Sequence, residues 1–271
     1  MLYNFAPILV FVPVIILWGL IPYSSEFVFM NFYVSLLLYF AVAVLPILGI
    51  ILAGYASGNK YSYLGTIRAC AQVISYELPI SFVILSIVAL SSSLNLKDII
   101  YSQIGEGAML GWYIFPSFIG FLIMFIAVLA ELNRCPFDLP EAESELVAGY
   151  NTEYSGMRFA FFFLAEYALM FVMSAFMVCI FFGGFLPIGQ KYISEVFFTN
   201  SEFLQVFIYF EQAMWLFIKS LVLVGLFMLV RATLPRMAYK SLLKFSWYFL
   251  LPLAIINFLV IIVFKYFLGG V

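Results

Sequence analysis

Along the 271 residues, apolar positions run together and charged ones are far apart, leaving neutral stretches at 1–25, 27–59, 78–96, 107–130, 167–190 and 245–264. Most exceed the ~18 uncharged apolar residues at which a membrane-spanning helix becomes the default reading. The pattern predicts seven spans, at about 4–22, 29–55, 68–91, 111–133, 157–184, 207–231 and 245–268. The expected fold is therefore an all-α polytopic membrane protein forming a single transmembrane domain over 1–271. The sixth span is the weakest by this criterion, because Glu211 and Lys219 fall inside it. Residues 185–206 read as a short linker with an amphipathic helix around Tyr192–Phe207 lying at the interface.

Seven spans put the loops alternately on two sides. Loops 56–67, 134–156 and 232–244 share one side with Lys60, Arg68, Arg134, Arg158, Arg231, Arg236, Lys240 and Lys244; the other side has only Lys97, Lys191 and Lys265. By the positive-inside rule the N-terminus and these three loops face the matrix or cytoplasm.

Composition narrows the chemistry. Apolar residues make up 66% of the chain and charged residues only 10%, too few for a soluble fold to cover its surface. There is no His, and Cys70, Cys135 and Cys179 lie far apart, so an iron–sulfur cluster, a haem or a Cys/His zinc site held by this chain alone is not expected. The net charge of −2 argues against a nucleic-acid partner. Met1 is followed directly by an apolar run, with neither a secretory signal nor a transit peptide in view. Together with heavy Phe, Tyr and Ile use, this suggests a mitochondrially encoded chain in the inner membrane, with a bacterial plasma membrane as the alternative.

The acids carry the functional information. Between Glu131 and Tyr154 stand Glu131, Asp138, Glu141, Glu143, Glu145 and Glu153, six of the chain's fourteen acids. A charge run is most often a solvated loop. Here Pro136 and Pro140 stiffen it, and Phe137, Leu139 and Leu146 offer apolar anchors, which a merely solvated loop does not need. Glu141 and Glu145 would share a face if helical. Glu77, Glu131, Glu166 and Glu211 fall within spans or at their ends. A charge at the bilayer centre costs roughly 2.5–3.5 kcal/mol, so these acids are expected to face the bundle interior. Each could be a neutral packing residue or pair with a cation such as Lys219. Four on separate helices favour a shared polar path able to relay protons, and Pro79 could open space beside Glu77. Arg231 and Arg236 flank a second charged loop, either as topology anchors or as fork-shaped partners for carboxylates.

These motifs also carry a family resemblance. The segment Glu131–Tyr154, continued by Phe159–Phe163 and Ala165-Glu166-Tyr167, resembles the signature of membrane subunit 1 of respiratory NADH:quinone oxidoreductase, complex I. So do Gly54–Ala69, Gln72–Glu77 and Arg231–Arg236, in family order over nearly the whole chain. The resemblance implies an eight-helix subunit forming a ubiquinone chamber, with NADH, FMN and iron–sulfur clusters carried by partner subunits of the complex. By motif position, Arg134, Phe137, Asp138, Glu143, Glu145 and Glu153 would border the chamber, with 134–156 as its acid-rich loop. Glu77, Glu131 and Glu166 would continue it as a proton path, and Arg68, Arg231 and Arg236 would hold loops by charge pairing. No residue is assigned a catalytic or metal-binding role. Residues equivalent to the family's first helix, with its Glu-Arg-Lys turn, are not seen, so this chain is expected to supply helices 2–8 and a separate small polypeptide the first. A homologous membrane component of a membrane-bound hydrogenase is the related alternative, and a stand-alone proton-coupled transporter the more distant one, disfavoured by the lack of an internal repeat.

Overall fold

A computed structural model describes residues 2–104, 111–138, 149–187 and 203–268. Ten helices are described: α1 Leu2–Leu20, α2 Ser35–Ala43, α3 Leu45–Ala56, α4 Lys60–Ser91, α5 Leu96–Tyr101, α6 Phe118–Glu131, α7 Met157–Phe181, α8 Phe203–Thr233, α9 Tyr239–Phe245 and α10 Leu251–Leu268. A 3₁₀ turn, Gly149–Asn151, precedes α7, and a π-helical turn, Ser246–Leu250, joins α9 to α10. No strand occurs among the described residues.

Six helical segments are long and apolar enough to cross a bilayer, α2 and α3 together forming one and α9 and α10 another. The remaining expected span, the fourth at 111–133, is shorter than read from the sequence. α6 has only 14 residues, a rise of about 21 Å against a hydrocarbon core of ~30 Å. Residues 111–117 turn instead of continuing it, since Pro116 limits helix propagation from its N-terminal side. The turn is held to α7, where Ile114 N donates to Phe181 O at 3.2 Å. The second span is interrupted at Val44 because Pro46 sits in the first turn of α3 and starts a new helix there. The third begins eight residues before the expected Arg68, at Lys60, where the Asn59 side chain caps the helix by accepting from Tyr61 N at 3.1 Å. Most of the expected interfacial helix Tyr192–Phe207 lies outside the described residues, as do Gly105–Gly107.

Contacts sort the connections into two ends. At one, Tyr3 reaches the Glu153 carbonyl, Asn59 Nδ2 reaches Glu153 Oε1 at 3.4 Å, and Met237 N donates to Pro136 O at 3.0 Å. The three basic connections thus meet. At the other, Leu36 N donates to Leu94 O at 3.1 Å and Lys265 Nζ to Ala89 O at 2.6 Å.

Little hydrophobic force separates helix from lipid, so close backbone approach has to draw the bundle together. Gly49 supplies one such approach: a Cβ there would stand 2.9 Å from the Val10 backbone nitrogen, so α1 and α3 meet nearly backbone to backbone. Gly54 makes the same allowance beside Thr66 of α4.

Candidate functional site

The site is built on the turn after α6. Asn133 adopts φ of 50°, which its short polar side chain tolerates, and the chain folds back beneath α4. Gln72, fully buried on α4, holds this turn: its Nε2 lies 2.7 Å from Ala130 O, 2.8 Å from Phe137 O and 3.2 Å from Asn133 Oδ1. Two amide hydrogens are shared among three acceptors, one of them the Ala130 carbonyl in the last turn of α6, which also accepts from Asn133 N at 3.2 Å. Phe137 is buried against Tyr76, ring centroids 5.6 Å apart, and Tyr76 donates to Leu242 O at 3.2 Å.

From this turn Arg134 reaches α7. Its Nη2 lies 3.1 Å from Glu166 Oε2, with the two side chains only 10% and 14% exposed, and its guanidinium covers the Tyr167 ring at 4.5 Å. The Nη2–Oε2 approach is an ion-pair contact without hydrogen-bond alignment. Enclosed this far, the pair is a strong local constraint: removing one partner would leave the other charge uncompensated. Asp138 pairs with Arg236 at 3.1 Å, but Arg236 is 48% exposed, so that bridge contributes little. Arg68 lies 5.7 Å from the Tyr239 ring. Arg231 is exposed at the end of α8 with no ion pair among the described residues.

Two cavities meet at Glu131. The outer, of about 50 Å³, has apolar walls including Val10, Ile47, Ile50 and Phe162 and a polar side made of Glu131, Asn133 and Glu166. The inner, of about 10 Å³, is lined by Tyr39, Glu77, Met124, Glu131 and Phe176. Glu131 and Ala43 border both, and Glu77 lies close enough to Glu131 for their charges to interact. Among the described residues neither Glu77 nor Glu131 has an ion-pair or hydrogen-bonding partner. The arrangement is a mostly apolar cavity with carboxyl groups leading inward from it.

At the mouth, Tyr3 stacks on Tyr154 at 4.3 Å, with Arg158 lying 5.0 Å from the Tyr3 ring. Burial, aided by Tyr3 and opposed by Arg158, pushes the Tyr154 phenol up to about 12, so it stays neutral at physiological pH.

Of the residues singled out from the sequence, Arg134, Phe137, Asp138, Glu131, Glu166, Glu77 and Arg236 come together around this turn and its cavities. Glu153 is exposed beside Asn59 and lines neither cavity, and Glu141, Glu143 and Glu145 lie outside the described residues. Among the described residues Lys219 does not pair with an acid, contrary to one expectation. Its Nζ donates to Phe182 O at 2.7 Å, Gly184 O at 3.1 Å and Leu186 O at 2.6 Å, beyond the end of α7. Glu211 lies elsewhere on α8, its Oε1 accepting from Trp215 Nε1 at 3.3 Å. Gln72 is not identifiable as a holding residue from the sequence, because a single amide in an apolar run carries no signal of what it holds; its place in the Gln72–Glu77 motif is the only hint.

The family model described as NADH dehydrogenase matches residues 1–262. An NADH-quinone oxidoreductase subunit from Bacillus cytotoxicus is 45% identical over 256 residues, covering 94% of this chain and 71% of that protein. The subunits of the same name from Brevibacillus brevis and Geobacillus kaustophilus are 44% and 42% identical over 258 and 264 residues, covering 95% and 97% of this chain and 71% and 73% of theirs.

Proposed function

The chain belongs to the NADH dehydrogenase family, and from that membership we infer that it is a membrane subunit of a respiratory NADH–quinone oxidoreductase, complex I, and so part of an enzyme whose other subunits are its partners. The relatives' names favour this over a hydrogenase component or a free-standing transporter. They come from bacteria, which supports a bacterial plasma membrane as the setting more than a mitochondrial inner membrane. They give no support to a separate first-helix polypeptide.

We further propose that the outer chamber receives the quinone head and that Glu166, Glu131 and Glu77 form the acidic path leading from it. The observation that carries this reading is that one carboxyl, Glu131, borders both the apolar chamber and the inner cavity with Glu77. Val10, Ile47, Ile50 and Phe162 fit an apolar ring and the start of an isoprenoid tail, while Asn133 and the Arg134–Glu166 pair offer polar groups beside it. Quinone, as bound substrate, takes up protons with electrons, and a change of charge there acts on the nearest ionisable pair. Arg134 holds Glu166 by charge; a charge change in the chamber alters how firmly, and Glu131 and Glu77 can then exchange protons in turn. Phe137 fixes the turn that carries Arg134, while Asp138, paired with the exposed Arg236, is proposed to border the chamber. Glu143, Glu145 and Glu153, on the 134–156 segment, are proposed to border the chamber on the strength of their motif positions alone. Arg68 and Arg231 are proposed to steady the neighbouring connections.

The test is replacement of Glu77, Glu131 and Glu166 singly by Gln in the intact complex in sealed vesicles. Proton movement per NADH oxidised is expected to fall at least severalfold while the protein still assembles. Unchanged pumping in all three variants would overturn the path.

A further inference from the structure

A third cavity lies away from the acid-lined ones, on the outer surface of the bundle. It is an open groove of about 540 Å³ between α4, which contributes Ala71, Ile74 and Ser75, and the α9–α10 junction, which contributes Lys244, Trp247 and Tyr248. Its walls are pinned. Trp247 Nε1 donates to Ser75 Oγ at 3.2 Å, and Ser246 Oγ to Ser75 O at 2.6 Å. The π-helical turn Ser246–Leu250 precedes Pro252, whose missing N–H cannot serve the carbonyl of Tyr248 four residues back. The widened turn leaves Trp247 and Tyr248 both facing outward, 49% and 82% exposed.

The groove's charge is one-sided. Lys240 and Lys244 are exposed or partly so, stand four apart on α9, and so share a face where like charges repel. α9, Tyr-Lys-Ser-Leu-Leu-Lys-Phe, contains no acid, and neither lysine has an ion pair among the described residues. An anion seated between them would remove the repulsion. Depth points to its nature. Lys265, which caps the far end of α4 through Ala89 O, lies eighteen residues beyond Trp247, roughly 27 Å of helical rise and close to the ~30 Å hydrocarbon core. Trp247 and Tyr248 therefore sit at the headgroup level of the basic side, where amphipathic aromatic rings gather. From there an exposed apolar strip, Ile74, Leu78 and Leu85 of α4 with Ile256, Val260 and Val263 of α10, runs towards the other end.

We propose that this groove is a binding site for an anionic phospholipid, its phosphate between Lys240 and Lys244, its glycerol region against Trp247 and Tyr248, and its acyl chains along α4 and α10. The site rests on membrane insertion and the basic end, and is independent of the quinone and proton reading. The lipid also bridges α4 to α10 on the level of Ser75, two residues from Glu77.

The experiment places the intact complex in phosphatidylcholine vesicles containing a trace of photoactivatable phosphatidylglycerol or photoactivatable phosphatidylcholine, then maps labelled peptides. One basic residue near an anionic surface is worth roughly fivefold in preference, so the phosphatidylglycerol probe should label residues 239–250 at least about fivefold more than the phosphatidylcholine probe. In the Lys240→Gln/Lys244→Gln double variant that preference should vanish, whereas Lys240→Arg/Lys244→Arg should keep it. Equal labelling by the two probes in the unmodified complex overturns the proposal. So does unchanged preference in the Gln variant, or cross-linking of this segment to a neighbouring protein of the complex with no lipid label.

Discussion

Gln72 and Arg134 do different kinds of work on one turn. Gln72 satisfies the carbonyl of Phe137 and ties it to Ala130 at the end of α6, so its value is chiefly the cost avoided by not leaving the Phe137 bond unmade. Arg134 then projects from a turn whose backbone is already fixed, which is why its guanidinium meets both Glu166 and the Tyr167 ring. Gln72→Leu should cost about 1–3 kcal/mol locally. The expected readout in the intact complex is faster hydrogen–deuterium exchange confined to residues 130–138; unchanged exchange there would show that the amide holds nothing. The pairing of Arg134 with Glu166 is not legible in the sequence, where thirty-two positions separate them. Only the crossing of α6 and α7 brings them together.

Among the elements, the end of α7 depends on a cation from another helix. The last carbonyls of a helix lack partners within it, and Lys219 of α8 supplies hydrogen bonds to three carbonyls just beyond α7 while its Nζ lies 4.8 Å from the Trp112 ring. A lysine inside an apolar span reads from the sequence as a liability or as a partner for an acid. In the fold its three donors face carbonyls instead, because α7 stops at Phe181 level with it. Lys219→Met should loosen this end. With Cys70 and Cys135 replaced by Ser, the buried Cys179 is expected to react with a maleimide at least several times faster in the variant. Equal rates would show that α7 ends securely without the lysine. α4 is closed in the same manner by Lys265, whose bonds reach Ala89 O, Leu90 O and Ser92 Oγ.

At the scale of the molecule, the two ends are chemically distinct. The basic end gathers the N-terminus, the Lys60 start of α4, the turn 132–138 and the 234–245 connection; the opposite end gathers residues 94–104 and the close of α7. Single cysteines at Lys60 and Leu234 should therefore react with an impermeant maleimide from one side of sealed vesicles, and cysteines at Tyr33 and Ile104 from the other. Labelling of all four from one side would contradict the alternation of spans.

The sequence by itself determined the class of the protein, the number and order of its apolar segments and the clustering of basic residues on one side. These follow from composition and from run length against bilayer thickness, which are properties of a segment alone. It also pointed to Glu131, Glu166 and Glu77, because a charge in an apolar setting is costly wherever it falls, and to Arg134 through the family resemblance. Tertiary structure alone decided that Glu131 borders two cavities, that Arg134 meets Glu166, that Lys219 turns to carbonyls and that Lys244 borders an open groove. Each depends on which helix crosses which, and at what depth, and that is set by packing between residues far apart in the chain.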